Sequence, residues 1–97
     1  MRNGLHLVIS GRVQGVGYRA WFAARAEEVG LSGWVRNRSD GTVEAFLAGE
    51  DHAIVAVISD ARRGPPAAEV IAVDARQVDR DPERVGHTIG IMVLPTV

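Results

Sequence analysis

The N-terminal third of the chain changes its hydrophobic pattern at a glycine-rich loop. Residues 5–10, LHLVIS, alternate weakly and are mostly apolar, which is typical of a central β-strand. Between residues 19 and 29 the apolar positions instead repeat with a helical period, and Gly30 then provides a stop signal. The apolar stripe of this helix consists of Phe22, Ala23, Ala26 and Val29. This part of the chain therefore predicts a strand, a loop and a helix.

The middle of the chain predicts a hairpin and then a second helix. Residues 34–38 and 42–47 have strand patterns, and the glycine-containing connection at 39–41 is typical of a hairpin. The second helix begins at residues 49–51 and ends at the GPP sequence of residues 64–66. Its apolar face consists of Ile54, Val57, Ile58 and Ala61.

The last third of the chain completes a recognisable order of elements. Residues 70–78 predict a fourth strand, and residues 88–94 predict a short fifth strand after a polar loop at 80–86. The order βαββαβ with a final strand predicts an α+β fold, a ferredoxin-like two-layer sandwich with two helices on one face of a mainly antiparallel sheet. In this topology the first two strands run parallel with the third between them, so the loop after Gly11 lies near the end of strand two.

The alternation of strand two assigns its side chains to two faces of the sheet. Val35 and Asn37 share one face, and Trp34, Arg36 and Arg38 share the other. If Val35 faces the helices, Asn37 does too, at the end of the strand where the glycine-rich loop begins. Trp34 then lies on the face away from the helices, where we expect it to be partly exposed. Such a residue can mark a partner surface, but single exposed apolar residues are also common in proteins without one.

Composition narrows the class of protein. A chain of 97 residues is expected to form a single domain, 1–97, with one core. No apolar stretch approaches the roughly 20 residues that cross a bilayer, and the N-terminus lacks a secretory pattern, so we expect a cytoplasmic protein with no membrane partner. The absence of cysteine excludes disulfides, a thiol nucleophile and thiolate metal ligands.

Charge and histidine placement exclude further classes. All 11 basic residues are arginines, so guanidinium is the cationic group available to an anion, histidine aside. The net charge of −1 argues against a nucleic-acid partner. His6, His52 and His87 lie far apart in the chain and on different elements, so no metal site is expected.

The loop GRVQGVGYRAW, residues 11–21, combines three glycines with two arginines. A glycine-rich loop that opens a helix exposes backbone N–H groups, and the helix dipole adds partial positive charge, so together they favour a phosphate. Arg19 stands where its guanidinium can bind the same anion. Alternatively, the glycines only form a tight turn and Arg19 is a solvated residue. The loop alone leaves both interpretations open.

Two other phosphate motifs share parts of this loop. GVGYRA, residues 15–20, fits the dinucleotide fingerprint G-x-G-x-x-A, but strand two continues into a hairpin and the chain is too short for a doubly wound sheet. Phosphatases that form a phosphocysteine carry a cysteine six residues before the arginine, where this chain has Val13. The loop therefore supplies no nucleophile.

Two long segments resemble the signatures of the acylphosphatase family. The first is ISGRVQGVGYR, residues 9–19, and the second is GWVRNRSDGTVEAFLAG, residues 33–49. With the GPP turn after helix two, the similarity covers most of the chain and implies the same ferredoxin-like fold. Tyr18 stands where phenylalanine is common, and the C-terminal strand lacks the aromatic and basic-aromatic ending of many relatives.

The resemblance implies hydrolysis of acyl phosphates to a carboxylate and inorganic phosphate, with no metal, no other cofactor and no covalent phosphoenzyme. By the family's motif, Arg19 binds the phosphoryl group and Asn37 positions the attacking water. Inorganic phosphate is then expected to inhibit as a product, and the enzyme is expected to be a monomer. The phosphate oxygens would be held by the loop amides of Gln14, Gly15, Val16, Gly17 and Tyr18.

A competing function is a non-catalytic domain that binds an anionic metabolite or an RNA strand. RNA is disfavoured because the predicted sheet lacks the aromatic stacking residues expected on strands one and three. Anion binding is discriminated from catalysis by Asn37, because simple phosphate binding does not require an amide that orients water.

Overall fold

A five-stranded sheet with two helices on one face forms the frame of the protein. The computed structural model describes residues 2–79, 81 and 90–97. In chain order, the elements are β1 (Arg2–Arg12), α1 (Tyr18–Glu28), β2 (Ser32–Asn37), β3 (Val43–Glu50), α2 (Asp51–Arg63), β4 (Glu69–Val78) and β5 (Ile91–Val93). The strands lie in the order β4-β1-β3-β2-β5.

The strand pairing confirms the predicted ferredoxin-like sandwich. β3 lies between β1 and β2 and is antiparallel to both, so β1 and β2 run parallel. β4 is antiparallel to the other side of β1, and β5 adds a parallel strand beside β2. The fifth strand is shorter than the predicted 88–94, of which residues 88 and 89 lie outside the described residues. The C-terminal ends of β1 and β2 therefore meet at one edge of the sheet.

The main core lies between the sheet and the helices. On α1, the buried side chains are Tyr18, Phe22 and Ala26, which follow the predicted stripe, and each large one contributes about 1.5–3 kcal/mol by burial. The prediction that Val29 belongs to this stripe is wrong, because Val29 is 42% exposed. α1 ends at Glu28, and the chain turns away from the core through Gly30, which has a φ of 79°.

Trp34 lies on the opposite face of the sheet, and the prediction that it is partly exposed is wrong. Its ring is fully buried, and its Nε1–H donates to Asp81 Oδ1 at 2.7 Å. The Arg36 guanidinium lies 4.8 Å from the ring centroid, and the rings of Phe46 and His6 pack at 6.5 and 6.4 Å. Apart from Arg36, these partners come from other parts of the chain, so the alternation of strand two alone does not reveal that Trp34 is buried.

Glu44 sits at the centre of a buried polar network on this second face. Its Oε1 accepts from Arg36 Nε at 2.8 Å, and its Oε2 lies 2.6 Å from His6 Nε2. Burial opposes ionisation of the carboxyl, but the hydrogen bonds with His6 and Arg36 outweigh it and hold the pKa of Glu44 below its usual range. Arg36 directly precedes Asn37, so the network fixes the strand that carries Asn37.

Tyr18 joins the first turn of α1 to the last turn of α2. Its hydroxyl donates to the carbonyl oxygen of Ala61 at 2.8 Å, and the ring is buried beside Phe22. Burial raises the pKa of the Tyr18 phenol. The tyrosine that stands where phenylalanine is common thus fixes the N-terminus of α1 against the second helix.

We expect Glu44→Gln to lower the free energy of unfolding by about 2–3 kcal/mol at neutral pH, because a neutral amide replaces the carboxylate beside Arg36. Since the pKa of Glu44 is lowered in the folded protein, its contribution is present at neutral pH and is lost as the pH falls through the folded-state pKa. Urea unfolding of variant and parent at about pH 7 and about pH 2.5 measures this. A difference of equal size at both pH values would contradict the assignment.

We expect Tyr18→Phe to lower the free energy of unfolding by about 1–2 kcal/mol, because the Ala61 carbonyl loses its donor. The raised pKa of Tyr18 also makes the parent lose stability as the pH rises above about 10, where the phenol of the unfolded chain ionises. Tyr18 is the single tyrosine of the sequence, so the variant should not show this loss of stability at alkaline pH. Unfolding curves at about pH 8 and about pH 11 test it, and equal alkaline losses for the two proteins would refute it.

Candidate functional site

The glycine-rich loop, residues 13–17, connects β1 to α1 at the edge where β1 and β2 end. Gly15 and Gly17 have φ values of 73° and 79°, in the left-handed region that favours glycine. A Cβ at either position would meet nothing within 4 Å. Glycine is therefore required here by the backbone conformation rather than by lack of space.

The N-terminus of α1 presents backbone donors to the loop. Gly17 occupies the N-cap position, no described side chain caps this end, and the first turn contains no acidic residue. The first intrahelical bond runs from Trp21 N–H to Gly17 O at 3.1 Å, so the preceding N–H groups of the turn have no acceptor within the helix. These donors and the helix dipole favour an anion at this end.

A cavity of about 250 Å³ opens beside this helix end. Arg19 and Asn37 contribute its polar side chains, from α1 and from the end of β2. The full lining is Val13, Gly15, Gly17, Tyr18, Arg19, Ala20, Asn37 and Val93. The structure thus brings together residues from both segments that the sequence singled out.

Two of the predicted loop residues lie outside the cavity wall. Val16 packs partly buried against the main core. The Gln14 side chain turns toward the hairpin between β2 and β3, where its Nε2 donates to Arg38 O at 2.7 Å and to Thr42 O at 2.9 Å. The sequence prediction concerned only the backbone amide of Gln14. Nothing in the sequence indicated this contact of the side chain with the hairpin.

Asn37 carries an unusual buried atom. Its Oδ1 is buried and has no hydrogen-bond partner among the described residues. Its backbone is held on both sides, because Asn37 pairs with Val43 of β3 and its carbonyl accepts from Val97 N–H at 3.2 Å. A buried acceptor costs free energy unless it receives a hydrogen bond. The unpartnered Oδ1 therefore favours binding of a group that can donate to it.

Val93 and Ala20 are cavity residues that the sequence reasoning missed. Val93 lies on β5 directly beside Val35 of β2, so it shares the face that points toward the helices. Ala20 follows Arg19 in the first turn of α1. The signal for Val93 is the parallel pairing of the last strand with β2, which periodicity alone does not reveal.

The described part of the chain offers no cluster of metal ligands and no membrane-spanning helix. Within residues 2–79, 81 and 90–97, no group of three or more His, Cys, Asp or Glu side chains could hold a metal ion. His6 lies on β1 and His52 on α2, while His87 is outside the described residues. None of the described helices is both long and apolar enough to cross a membrane.

Comparison with known proteins identifies the family. The acylphosphatase family model matches residues 5–89. An acylphosphatase from Rhodopseudomonas palustris is 57% identical over 75 residues, which cover 77% of this chain and 76% of that protein. One from Azorhizobium caulinodans is 46% identical over 93 residues, covering 96% of this chain and 100% of that protein.

Solved structures agree with the sequence comparison. The structure of an acylphosphatase from Coxiella burnetii matches with a TM-score of 0.85 and 33% sequence identity, and the match covers 96% of this chain and 93% of that chain. An acylphosphatase from Bacillus subtilis matches with the same TM-score, 0.85, at 29% identity, over 97% of this chain and 99% of that chain. The chain therefore belongs to the acylphosphatase family of enzymes, which hydrolyse acyl phosphates.

Proposed function

We propose that the cavity binds the phosphoryl group of an acyl phosphate, and that Arg19 and Asn37 promote its hydrolysis without metal and without a phosphoenzyme. The observation that carries this proposal is the cavity that Arg19, Asn37 and the open end of α1 line together. Asn37 also has a buried Oδ1 with no hydrogen-bond partner among the described residues. All of these groups belong to one chain, so the proposed activity needs no second subunit and a monomer suffices.

The phosphoryl group would be held by the loop and by Arg19. The backbone amides of Gln14, Gly15, Val16, Gly17 and Tyr18 would donate to its oxygens, in the manner of an anion-binding nest. The Arg19 fork would add charge-assisted hydrogen bonds, each worth about 1.5–3 kcal/mol. Together these donors neutralise the charge that otherwise repels an attacking water.

Asn37 would orient the water that attacks phosphorus. Its Oδ1 would accept a hydrogen bond from one O–H of the water, which directs an oxygen lone pair of the water at the phosphoryl group. The new P–O bond forms as the P–O bond to the acyl group breaks, and the carboxylate leaves with the bonding electron pair. A phosphoryl oxygen takes the water proton, giving inorganic phosphate.

This reaction requires the protein mainly to position the reacting groups and to supply positive charge near the phosphoryl group. An acyl phosphate is already activated, and a carboxylate is a good leaving group, so neither a general acid nor a metal ion is required to expel it. The neutral amide of Asn37 and the permanently charged Arg19 are sufficient groups for this task.

A non-catalytic anion-binding domain fits the cavity less well. The Nδ2 group of an asparagine can donate to a bound phosphate, but its Oδ1 only accepts and finds no donor on an unprotonated phosphate oxygen. The same oxygen suits a water molecule, which donates to Asn37 on one side and faces phosphorus on the other. The acceptor character of Asn37 Oδ1 therefore favours hydrolysis over simple binding.

We expect the purified protein to release phosphate from benzoyl phosphate at a rate that excess chelator does not change, because Arg19 and the loop amides supply the positive field. Inorganic phosphate should inhibit competitively by occupying the same donors. A phosphate-release assay with and without EDTA measures both effects. Loss of activity with EDTA and recovery with a divalent ion would refute the metal-free mechanism, and phosphate binding without turnover would support the non-catalytic domain.

The two polar side chains should separate binding from chemistry. Arg19→Gln should abolish both turnover and phosphate inhibition, because an amide cannot replace the charged fork. Asn37→Ala should lower kcat by about 10²–10³, the scale for one lost oriented polar group, and leave the inhibition constant of phosphate within about twofold.

Melting curves of both variants serve as the control, since the kinetic constants are interpretable for folded protein alone. A folded Asn37→Ala variant that keeps kcat within about threefold of the parent would make Asn37 a structural residue. Normal phosphate inhibition in Arg19→Gln would mean that the loop amides bind phosphate without the guanidinium.

A further inference from the structure

The Gln14 side chain forms a direct bridge between the glycine-rich loop and the hairpin that follows Asn37. Its Nε2 donates to Arg38 O at 2.7 Å and to Thr42 O at 2.9 Å, and these acceptors can take both N–H protons of the amide. The two carbonyls belong to residues that face each other across the hairpin, where Arg38 N–H donates to Thr42 O at 2.9 Å. The bridge therefore fastens both sides of the hairpin to the loop.

This bridge is short compared with the route through the sheet. The loop continues from β1, whereas Asn37 ends β2, and β3 lies between these strands. The sheet connects the two halves of the site through two ladders, each spanning about 4.8 Å. Gln14 connects them in one step, and its acceptor Arg38 O belongs to the residue directly after Asn37.

We infer that Gln14 is a positioning residue for the hydrolysis, whose side-chain amide sets the distance between the phosphate-binding loop and Asn37. The inference rests on the proposed function. The phosphoryl group and the water are held by separate parts of the chain, and a misplacement of about 1 Å between reacting groups costs about 10²-fold in rate. Gln14 therefore acts on kcat through Asn37, without touching substrate through its side chain.

The same contacts argue against a side-chain role in phosphate binding. The Gln14 donors are occupied by the hairpin carbonyls, and Gln14 is not among the residues that line the cavity. Arg19 and the N-terminus of α1 both lie on α1, to which the Gln14 side chain makes neither of these hydrogen bonds, so we expect them to stay in place when the bridge is removed. Phosphate affinity should therefore be insensitive to the Gln14 side chain.

The first test replaces the donor with an apolar group of similar length. Gln14→Met should lower kcat for benzoyl phosphate by about tenfold or more, with the inhibition constant of phosphate within about twofold of the parent. If Gln14→Met does not fold, Gln14→Asn takes its place, because it keeps an amide that is one methylene too short to reach both carbonyls.

Asp40→Ala provides the matched control. Asp40 Oδ1 accepts from Thr42 N–H at 3.0 Å and from Thr42 Oγ1 at 2.6 Å, so this variant also removes two hydrogen bonds from the hairpin but none from the glycine-rich loop. Its kcat should stay within about twofold of the parent. An equal fall of kcat in Asp40→Ala and Gln14→Met would reduce the role of Gln14 to hairpin stability and overturn the inference.

A double-mutant cycle tests whether Gln14 acts through Asn37. Adding Gln14→Met to Asn37→Ala should cause no further fall in kcat, since the group that Gln14 positions is already absent. Multiplicative losses would overturn the inference, as would a rise in the phosphate inhibition constant that parallels the fall in kcat. An inactive parent, or an Asn37→Ala variant with parental kcat, is instead the failure of the proposed function, on which the inference depends.

Discussion

The central place of β3 in the sheet is the constraint on which the site depends. Because β3 pairs antiparallel with both β1 and β2, these two strands run parallel and end at one edge. The glycine-rich loop and Asn37 come from segments far apart in the sequence, and no local preference would bring them together. A ladder displaced by one residue would turn Asn37 to the opposite face, so the register of β2 against β3 is as important as the residue itself.

The polar network on the second face of the sheet explains how this register is held. Arg36 and Glu44 are direct cross-strand partners in β2 and β3, and their ion pair is closed in by Trp34 and His6. A buried charge pair of this kind tolerates little displacement, because either partner left alone would be a desolvated charge. The helix face supplies most of the buried apolar area, whereas the second face specifies the alignment of the strand that ends in Asn37.

The sequence predicted the architecture well because it depends on local signals that were present. Changes of hydrophobic period, and the glycines between the periodic segments, located the helices and strands. The loop residues and Asn37, which line the cavity, were among the residues that the sequence singled out. What the sequence did not reveal on the second face of the sheet and at the loop depends on distant partners. Trp34 is covered by residues from β1 and β3 and by Asp81. The Gln14 side chain finds its acceptors in the hairpin between β2 and β3. Val29 failed for a local reason, because α1 ends one residue before it.

The order of the strands also governs how this chain reaches its native state. Leu5 pairs with Leu47 on one side and with Gln77 on the other, so β1 acquires both neighbours only after long stretches of chain have been closed. Closing such loops costs conformational entropy before any ladder compensates for it, so mixed domains of this kind fold more slowly than helical bundles. α1 and α2 can form early by comparison, because their hydrogen bonds are local. The glycine-rich loop and Asn37 meet only when the β1–β3–β2 ladders are complete, so the proposed site is assembled late in folding.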